Sequence, residues 1–366
     1  MLYWVFYTSY LFFAFSSLLV ASKKIRFAVY IIFFFAFLFF IGLRFESVDY
    51  GGYYQIWQRV GFDVFSFPFY TAGGGTTGNE FLFATSVSFF KYYGLSFEFF
   101  LFFISFVSLS IKFYFFKKLS PYFLLCLLLY FSLGFFKDLG QIRNSLAAAI
   151  LLFGLSPLYK RSFFRYFLVI TCASAVQIFA VIALPFYWLY PILKIKYLPY
   201  FLLVFSFLVS LIGGFGEFFL FAVDTLFIPE EIKDKVKGYY YSDRNQLLYY
   251  HPLNLSFFIF SLIFLYFRSF FEKLDERLFS LLGYHFFSVF LYFLMFDFSP
   301  VAGRVFELLS FNSVIVLLAC LTSLFKGLER VFYILFLLIY STLLFYSVVG
   351  SAASYKNILF SFGGLV

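Results

Sequence analysis

Apolar runs separated by short polar or basic stretches recur along the whole chain. They fall at residues 2–21, 27–43, 97–116, 122–136, 142–157, 163–177, 178–190, 198–222, 252–268, 278–296, 305–325 and 331–350. Most approach the roughly 20 residues that an α-helix needs to cross a hydrocarbon core about 30 Å thick. The pattern predicts an all-α integral membrane protein: a polytopic bundle of about 11–12 transmembrane helices in a single transmembrane domain over residues 1–366. Segment 81–94 is apolar but too short to cross unaided, and it reads as interfacial or re-entrant. Runs 163–177 and 178–190 are also short, a hairpin of thin helices. The first run, Leu2 to Val20, lacks a basic leader and a small-residue cleavage site before Lys23. It reads as the first span, not as a signal peptide.

Composition strengthens this picture. Hydrophobic residues make up 64% of the chain and charged residues 12%, with a mean hydropathy of +0.95. A soluble domain of that balance would expose apolar surface far beyond what solubility tolerates. The net charge of +9 is spread over small clusters between spans, not along one face, which argues against nucleic acid as a partner. Cys126, Cys172 and Cys320 all fall inside apolar runs without paired spacing, and read as small buried hydrophobes.

The basic clusters instead orient the bundle. They are Lys23, Lys24 and Arg26; Lys117 and Lys118; Lys160, Arg161 and Arg165; Lys194 and Lys196; Arg268, Lys273 and Arg277; and Lys326 with Arg330. All fall on the cytoplasmic side if the N-terminus is outside and segment 81–94 does not cross. The long outer loops are then 44–96 and 223–251.

Three arginines stand apart from those clusters, each at the outer mouth of an apolar run: Arg44, Arg143 and Arg304. A single such residue is explained by snorkelling of its stem in lipid. Three together suit a lipid pyrophosphate, because guanidinium is always charged and its forked donors match phosphate oxygens. Asp49 and Glu46 are the carboxylates nearest Arg44 in sequence. Asp49 is a candidate general base on a hydroxyl, or equally an ion-pair partner or helix cap for the segment after it. Glu80 and Asp138 read more simply as caps or solvated charges. His251 and His285 stand alone, without the neighbours a metal site needs, and no serine-nucleophile or metalloprotease motif occurs. The glycine-rich stretch 71–79 lacks the lysine of a phosphate-binding loop and reads as a lid or linker. The tyrosines between 239 and 250 could stack on sugar rings or form an interfacial belt.

In order and spacing these residues resemble the EpsG-like branch of the Wzy polymerases. Gly42, Leu43 and Arg44, then Asp49 and Tyr50, then Tyr53 and Tyr54, are similar to that family's block after its second span. Glu80 with its following apolar segment resembles another block. Gln141, Ile142, Arg143 and Asn144, with the run to Ile150, resemble a third, and Arg304 resembles a late arginine less specifically. The resemblance is good over residues 1–190 and poor beyond. Two departures stand out. Asn144 occupies the place of a common glutamine, and Gln177 stands before Leu184–Pro185 where the family commonly has a histidine. Glutamine binds a hydroxyl or phosphate but cannot serve as a base near neutral pH: if the family histidine is catalytic, Asp49 or Glu80 gains weight, and if it only binds, nothing is lost.

The resemblance implies a GT-C-like glycosyltransferase that polymerises a surface polysaccharide, O-antigen or capsule. It would act on the outer face of a bacterial cytoplasmic membrane. Donor and acceptor would both be oligosaccharide repeat units on undecaprenyl pyrophosphate, amid membrane lipids, with a chain-length regulator as a further candidate partner. Asp49, Arg44 and Arg143 are then the expected catalytic residues. Arg304, Gln141, Asn144, Gln177, Glu80, Tyr53 and Tyr54 are expected to bind substrate, and neither metal nor cofactor is expected. The alternatives are a flippase for lipid-linked sugars, an O-antigen ligase and a scaffold subunit. The first is disfavoured by the clean apolar centres of most spans and by the lack of a visible inverted repeat.

Overall fold

The computed structural model describes residues 23–47, 49–61, 80–212, 214–225, 230–241, 252–349 and 356–357, with residues 3, 4, 7, 8 and 11 ahead of them. Most of the first apolar run, the glycine-rich stretch, His251 and most of the tyrosine-rich loop lie outside the described residues. In chain order the elements begin with α1 (Lys23–Gly42), β1 (Arg44–Glu46), α2 (Tyr50–Arg59), α3 (Phe81–Tyr92), α4 (Phe97–Leu119), α5 (Phe123–Leu133) and α6 (Phe135–Leu139). Next come α7 (Ile142–Leu151), α8 (Leu155–Tyr159), α9 (Phe163–Val176), α10 (Phe186–Leu189), α11 (Leu198–Leu211), α12 (Gly216–Thr225) and α13 (Glu230–Tyr240). The last are α14 (Pro252–Tyr266), α15 (Arg268–Leu274), α16 (Glu276–Leu294), α17 (Ser299–Leu321), α18 (Gly327–Val349) and β2 (Lys356–Asn357).

The protein is an all-α polytopic membrane protein. Among the described residues, five helical segments are long and apolar enough to span: α4, Ile142–Tyr159, α16, Val301–Leu324 and α18. Counting the broken pairs α11–α12 and α14–α15 raises the number to seven, and four shorter apolar helices remain. This count covers the described residues, which leave out most of the expected span 2–21; within them apolar composition continues through breaks in the backbone. The expected span 122–136 is divided at Gly134 into α5 and the short α6. The expected helix 178–190 is a chain of tight turns, 3₁₀ at Ile178–Ala183 and Tyr190–Lys194 around α10. Pro185 and Pro191 each remove a backbone donor there, which shortens any regular α-helix. Helix α3 has 12 residues, a reach of about 18 Å, which is short of the hydrocarbon thickness as expected.

The chain packs as two compact units. The first contains Met1–Phe153, Thr171–Ile178 and Ile315–Val366, and the second Gly154–Ile170 and Phe179–Val314. In the first unit α1 lies along α4, closest at Gly42, where an added Cβ would sit 2.8 Å from Phe102 Cδ2 and 3.2 Å from its Cα. Helix α5 is buried along its length and packs on α18. Ser132 on α5 meets the Ser341 carbonyl at 2.8 Å and its Oγ at 2.5 Å, and Tyr7 OH reaches Ser341 Oγ at 3.2 Å. Strands β1 and β2 pair antiparallel, with Arg44 opposite Asn357 and Glu46 opposite Lys356. The segment after Gly42, expected as a loop, is thus partly a strand.

In the second unit α16 is the central helix, with α8, α11, α14 and α15 around it. His285 on α16 is buried and bonded on both ring nitrogens, Nε2 to Ser261 Oγ at 2.9 Å and Nδ1 to Ser310 Oγ at 2.7 Å. A polar ring inside an apolar bundle is affordable only with such partners. Its role is therefore to join α14, α16 and α17, in keeping with the absence of metal-ligand spacing around it.

Candidate functional site

The first turn of α7 carries Arg143, and the residue just before α3 is Glu80. Their side chains form an ion pair, Arg143 Nη1 to Glu80 Oε2. Glu80 is 2% exposed and its side chain makes no capping bond to α3, so it is neither a cap nor a solvated charge. A carboxylate buried to that degree needs a cation, and Arg143 supplies it. The guanidinium lies 5.5 Å above the ring of Tyr53 and 5.6 Å above that of Phe83. Two ring faces and one carboxylate therefore fix the plane of the fork. The Arg143 side chain keeps 21% of its surface exposed while Glu80 is sealed. Such a group can take a phosphate oxygen without first being dragged into position.

The elements that build this corner follow from sequence. Helix α2 is polar by composition, and its single buried residue is Tyr53, the one turned toward Arg143. Trp57 of the same helix packs against Phe97 and Phe100 of α4 at 5.6 Å each. Lys91 of α3 closes its C-terminal end, donating to the Trp57 carbonyl at 2.9 Å and the Val60 carbonyl at 2.5 Å. Cations at a helix C-terminus satisfy its orphan carbonyls. Burial lowers the Lys91 ammonium from its ordinary value. Tyr54 points away from Arg143, stacking on Tyr50 at 6.4 Å and meeting Phe97 edge-on at 5.4 Å. The Tyr50 phenol is pushed up to about 12 by burial and by the Glu98 carboxylate.

The remaining expected residues fall at different distances from this corner. Gln141 and Asn144 bracket Arg143 at the head of α7, with Asn144 Nδ2 3.5 Å from Gln141 Oε1. Gln177 is buried at the end of α9, where the helix gives way to 3₁₀ turns. Asp49 is exposed at the head of α2, in a left-handed conformation (φ 59°) with no side-chain capping bond, so the cap role considered for it is not realised. Arg44, expected to face outward or snorkel, is 1% exposed and donates from Nη1 to the Ile41 carbonyl at 2.5 Å. It closes the C-terminal end of α1 from within the protein. Arg304 belongs to the second unit, on α17, with its guanidinium 5.6 Å above the Phe179 ring.

Two charged groups escaped the sequence reading. Lys112 is buried in α4, and Asp138, read as solvated, is buried in α6. They pair at 2.6 Å. The signal was available in Ile111, Lys112 and Phe113: a lysine inside an apolar run is costly unless it has a partner. Glu307, one turn beyond Arg304 on α17, was also passed over.

Comparisons with curated proteins and with solved structures each found no match. A family model described as "EpsG family" matches residues 27–362. That match takes in Arg44, Glu80, Arg143 and Arg304 together, and extends well past the part of the chain where the sequence motifs were clear. On this ground the chain belongs to the EpsG family.

Proposed function

We propose that the protein is a surface-polysaccharide polymerase of the outer face of a bacterial cytoplasmic membrane. It joins oligosaccharide repeat units carried on undecaprenyl pyrophosphate. Family membership supports a Wzy-like polymerase in general. The observation that carries the finer reading is Arg143, held by Glu80 and Tyr53 with its side chain partly exposed. The basic clusters support the outer location, since the positive-inside rule puts the heads of α2, α3 and α7 opposite them.

In this reaction the acceptor hydroxyl oxygen attacks the anomeric carbon of the donor glycan. The bond from that carbon to the pyrophosphate oxygen breaks, and its electron pair leaves on undecaprenyl pyrophosphate. Arg143 meets the charge that grows on that leaving group, and Arg304 is a candidate substrate-binding residue of the second unit. The hydroxyl proton passes to a carboxylate. Glu80 is committed to Arg143, so the exposed Asp49 is the better base. Gln141, Asn144 and Gln177 hold sugar hydroxyls, the exposed Tyr54 offers a ring face to the sugars, and Tyr53 serves by holding Arg143. Glu80 acts by positioning Arg143, not by touching sugar. Arg44 acts by fixing the turn between α1 and β1 that leads to Asp49.

The test uses purified protein in proteoliposomes with a lipid-linked repeat unit, and products resolved by gel and mass spectrometry. A ladder rising in whole repeat units with release of undecaprenyl pyrophosphate supports the polymerase. Movement of the intact unit across the bilayer without a ladder means a flippase. Transfer only to a lipid A core acceptor means a ligase.

A further inference from the structure

We infer that Lys112 and Asp138 are positioning residues for Arg143, holding its helix in register from behind; the catalytic part of this inference rests on the polymerase reading above. A charge inside a span persists where it is paired or used. Lys112 Nζ contacts Asp138 Oδ2 at 2.6 Å and Ser145 Oγ at 2.5 Å. The other Asp138 oxygen accepts from Ser108 Oγ at 2.7 Å, and Tyr130 OH donates to Oδ2 at 2.5 Å. All five side chains belong to the first unit, and the group draws on α4, α5, α6 and α7.

The placement of these contacts is what matters. Asp138 lies before Arg143 in the chain and Ser145 lies after it, so one ammonium pins both sides of the turn that delivers the arginine. Ser145 is two residues beyond Arg143 on α7, a rotation of about 200° around a helix. The face of α7 held by Lys112 is therefore opposite the face that presents Arg143 to Glu80. Helix α3, which follows Glu80, packs on the same α4 through Phe83 and Phe90, at 5.5 Å and 5.4 Å from the Phe100 ring. Both members of the Arg143–Glu80 pair thus take their position from α4.

An apolar pair of similar volume would fill the same space and leave the chain folded. What it could not do is fix the register of α6 and α7, because dispersion contacts lack direction while a lysine with two aimed acceptors has it. Loss of register by about 1 Å is enough to cost about 100-fold in rate.

The experiment replaces the pair with apolar residues, Lys112→Met with Asp138→Leu, in the full chain in detergent and in liposomes. Expected are a folded, inserted protein with a lower melting temperature, since the Ser108 and Tyr130 hydroxyls lose their acceptor, and amide hydrogen exchange raised about ten-fold over residues 139–146 alone. Polymerisation should fall about 100-fold in the native background but by less than about two-fold when Arg143→Lys is already present. Ser145→Ala serves as the second variant, since it cuts only the link to α7 and leaves the buried pair intact. It should raise exchange over residues 142–146 without loss of folded protein. Unchanged exchange in both variants, or equal rate losses in both Arg143 backgrounds, would overturn the inference. Should the native protein make no polymer, the exchange result alone still decides the positioning role, and only the reaction assigned to Arg143 is lost.

Discussion

Arg143 and Glu80 are brought together from opposite flanks of α4, one heading α7 and the other leading into α3, and each answers a problem the other creates. Glu80 alone would be an unpaired buried carboxylate. Arg143 alone would be a long, freely rotating cation. Paired, they give a guanidinium with a fixed plane on a partly exposed side chain.

Removing one member of this pair should therefore cost more than removing both. Arg143→Ala leaves Glu80 buried without a cation and should lower stability by about 3 kcal/mol. Adding Glu80→Gln should restore more than half of that loss, because a neutral amide tolerates the site. Polymer should be absent in both variants. Thermal unfolding in detergent, read beside a polymer gel, separates the two effects.

Arg44 and Arg304 should behave differently from each other although both are outer arginines in sequence. Arg44→Ala removes a buried donor from the Ile41 carbonyl and should reduce the yield of folded protein. Arg304→Ala should leave the yield unchanged and abolish long polymer, with Arg304→Lys restoring little because lysine lacks the fork. Quantified membrane insertion and polymer length in cells decide this. Loss of polymer from Arg304→Ala only in step with lost protein would remove Arg304 from the reaction.

Asp49 is exposed at the head of α2, and its side chain makes no capping bond there. If it accepts the hydroxyl proton, Asp49→Asn should lower turnover by about 100-fold or more with little change in KM for the lipid-linked unit. Steady-state kinetics in proteoliposomes gives the answer, and unchanged turnover would transfer the role to another group.

Asp297 accepts from the Gly216 amide at 2.8 Å and 2.7 Å, at the head of α12. Burial raises its carboxyl above the ordinary value, against the pull of those backbone bonds. The folded chain therefore keeps this proton to higher pH than the unfolded chain. The resulting stability is full below about pH 4 and is lost as pH rises through the elevated folded value. The melting temperature should fall across that window, and Asp297→Asn should flatten the fall while retaining an acceptor for Gly216.

Membrane class and the short α3 were legible in sequence because each leaves a local mark: an apolar run and its length. The breaks within runs 122–136 and 178–190 were not, since Phe and Leu continue through Gly134 and the turns around Pro185 without a change in hydropathy. Burial of Arg44 and Glu80 was also hidden. Whether a charge at a span mouth faces water depends on residues distant in the chain, here β2 for the segment around Arg44 and α7 for Glu80. Lys112 differs, since its cost was written in the run itself and only its partner was missing.

The bonds that join Ser132 to Ser341 also set an order of assembly. Helix α5 is synthesised early, yet the surface it must bury is completed by α18, near the end of the chain. During insertion α5 therefore waits with a serine hydroxyl unmatched and a Leu- and Phe-rich face uncovered, and the unit that carries Arg143 closes only once α18 has followed. A chain cut short before Gly327 should reach the membrane and be degraded there, with every residue of the Arg143–Glu80 corner already made.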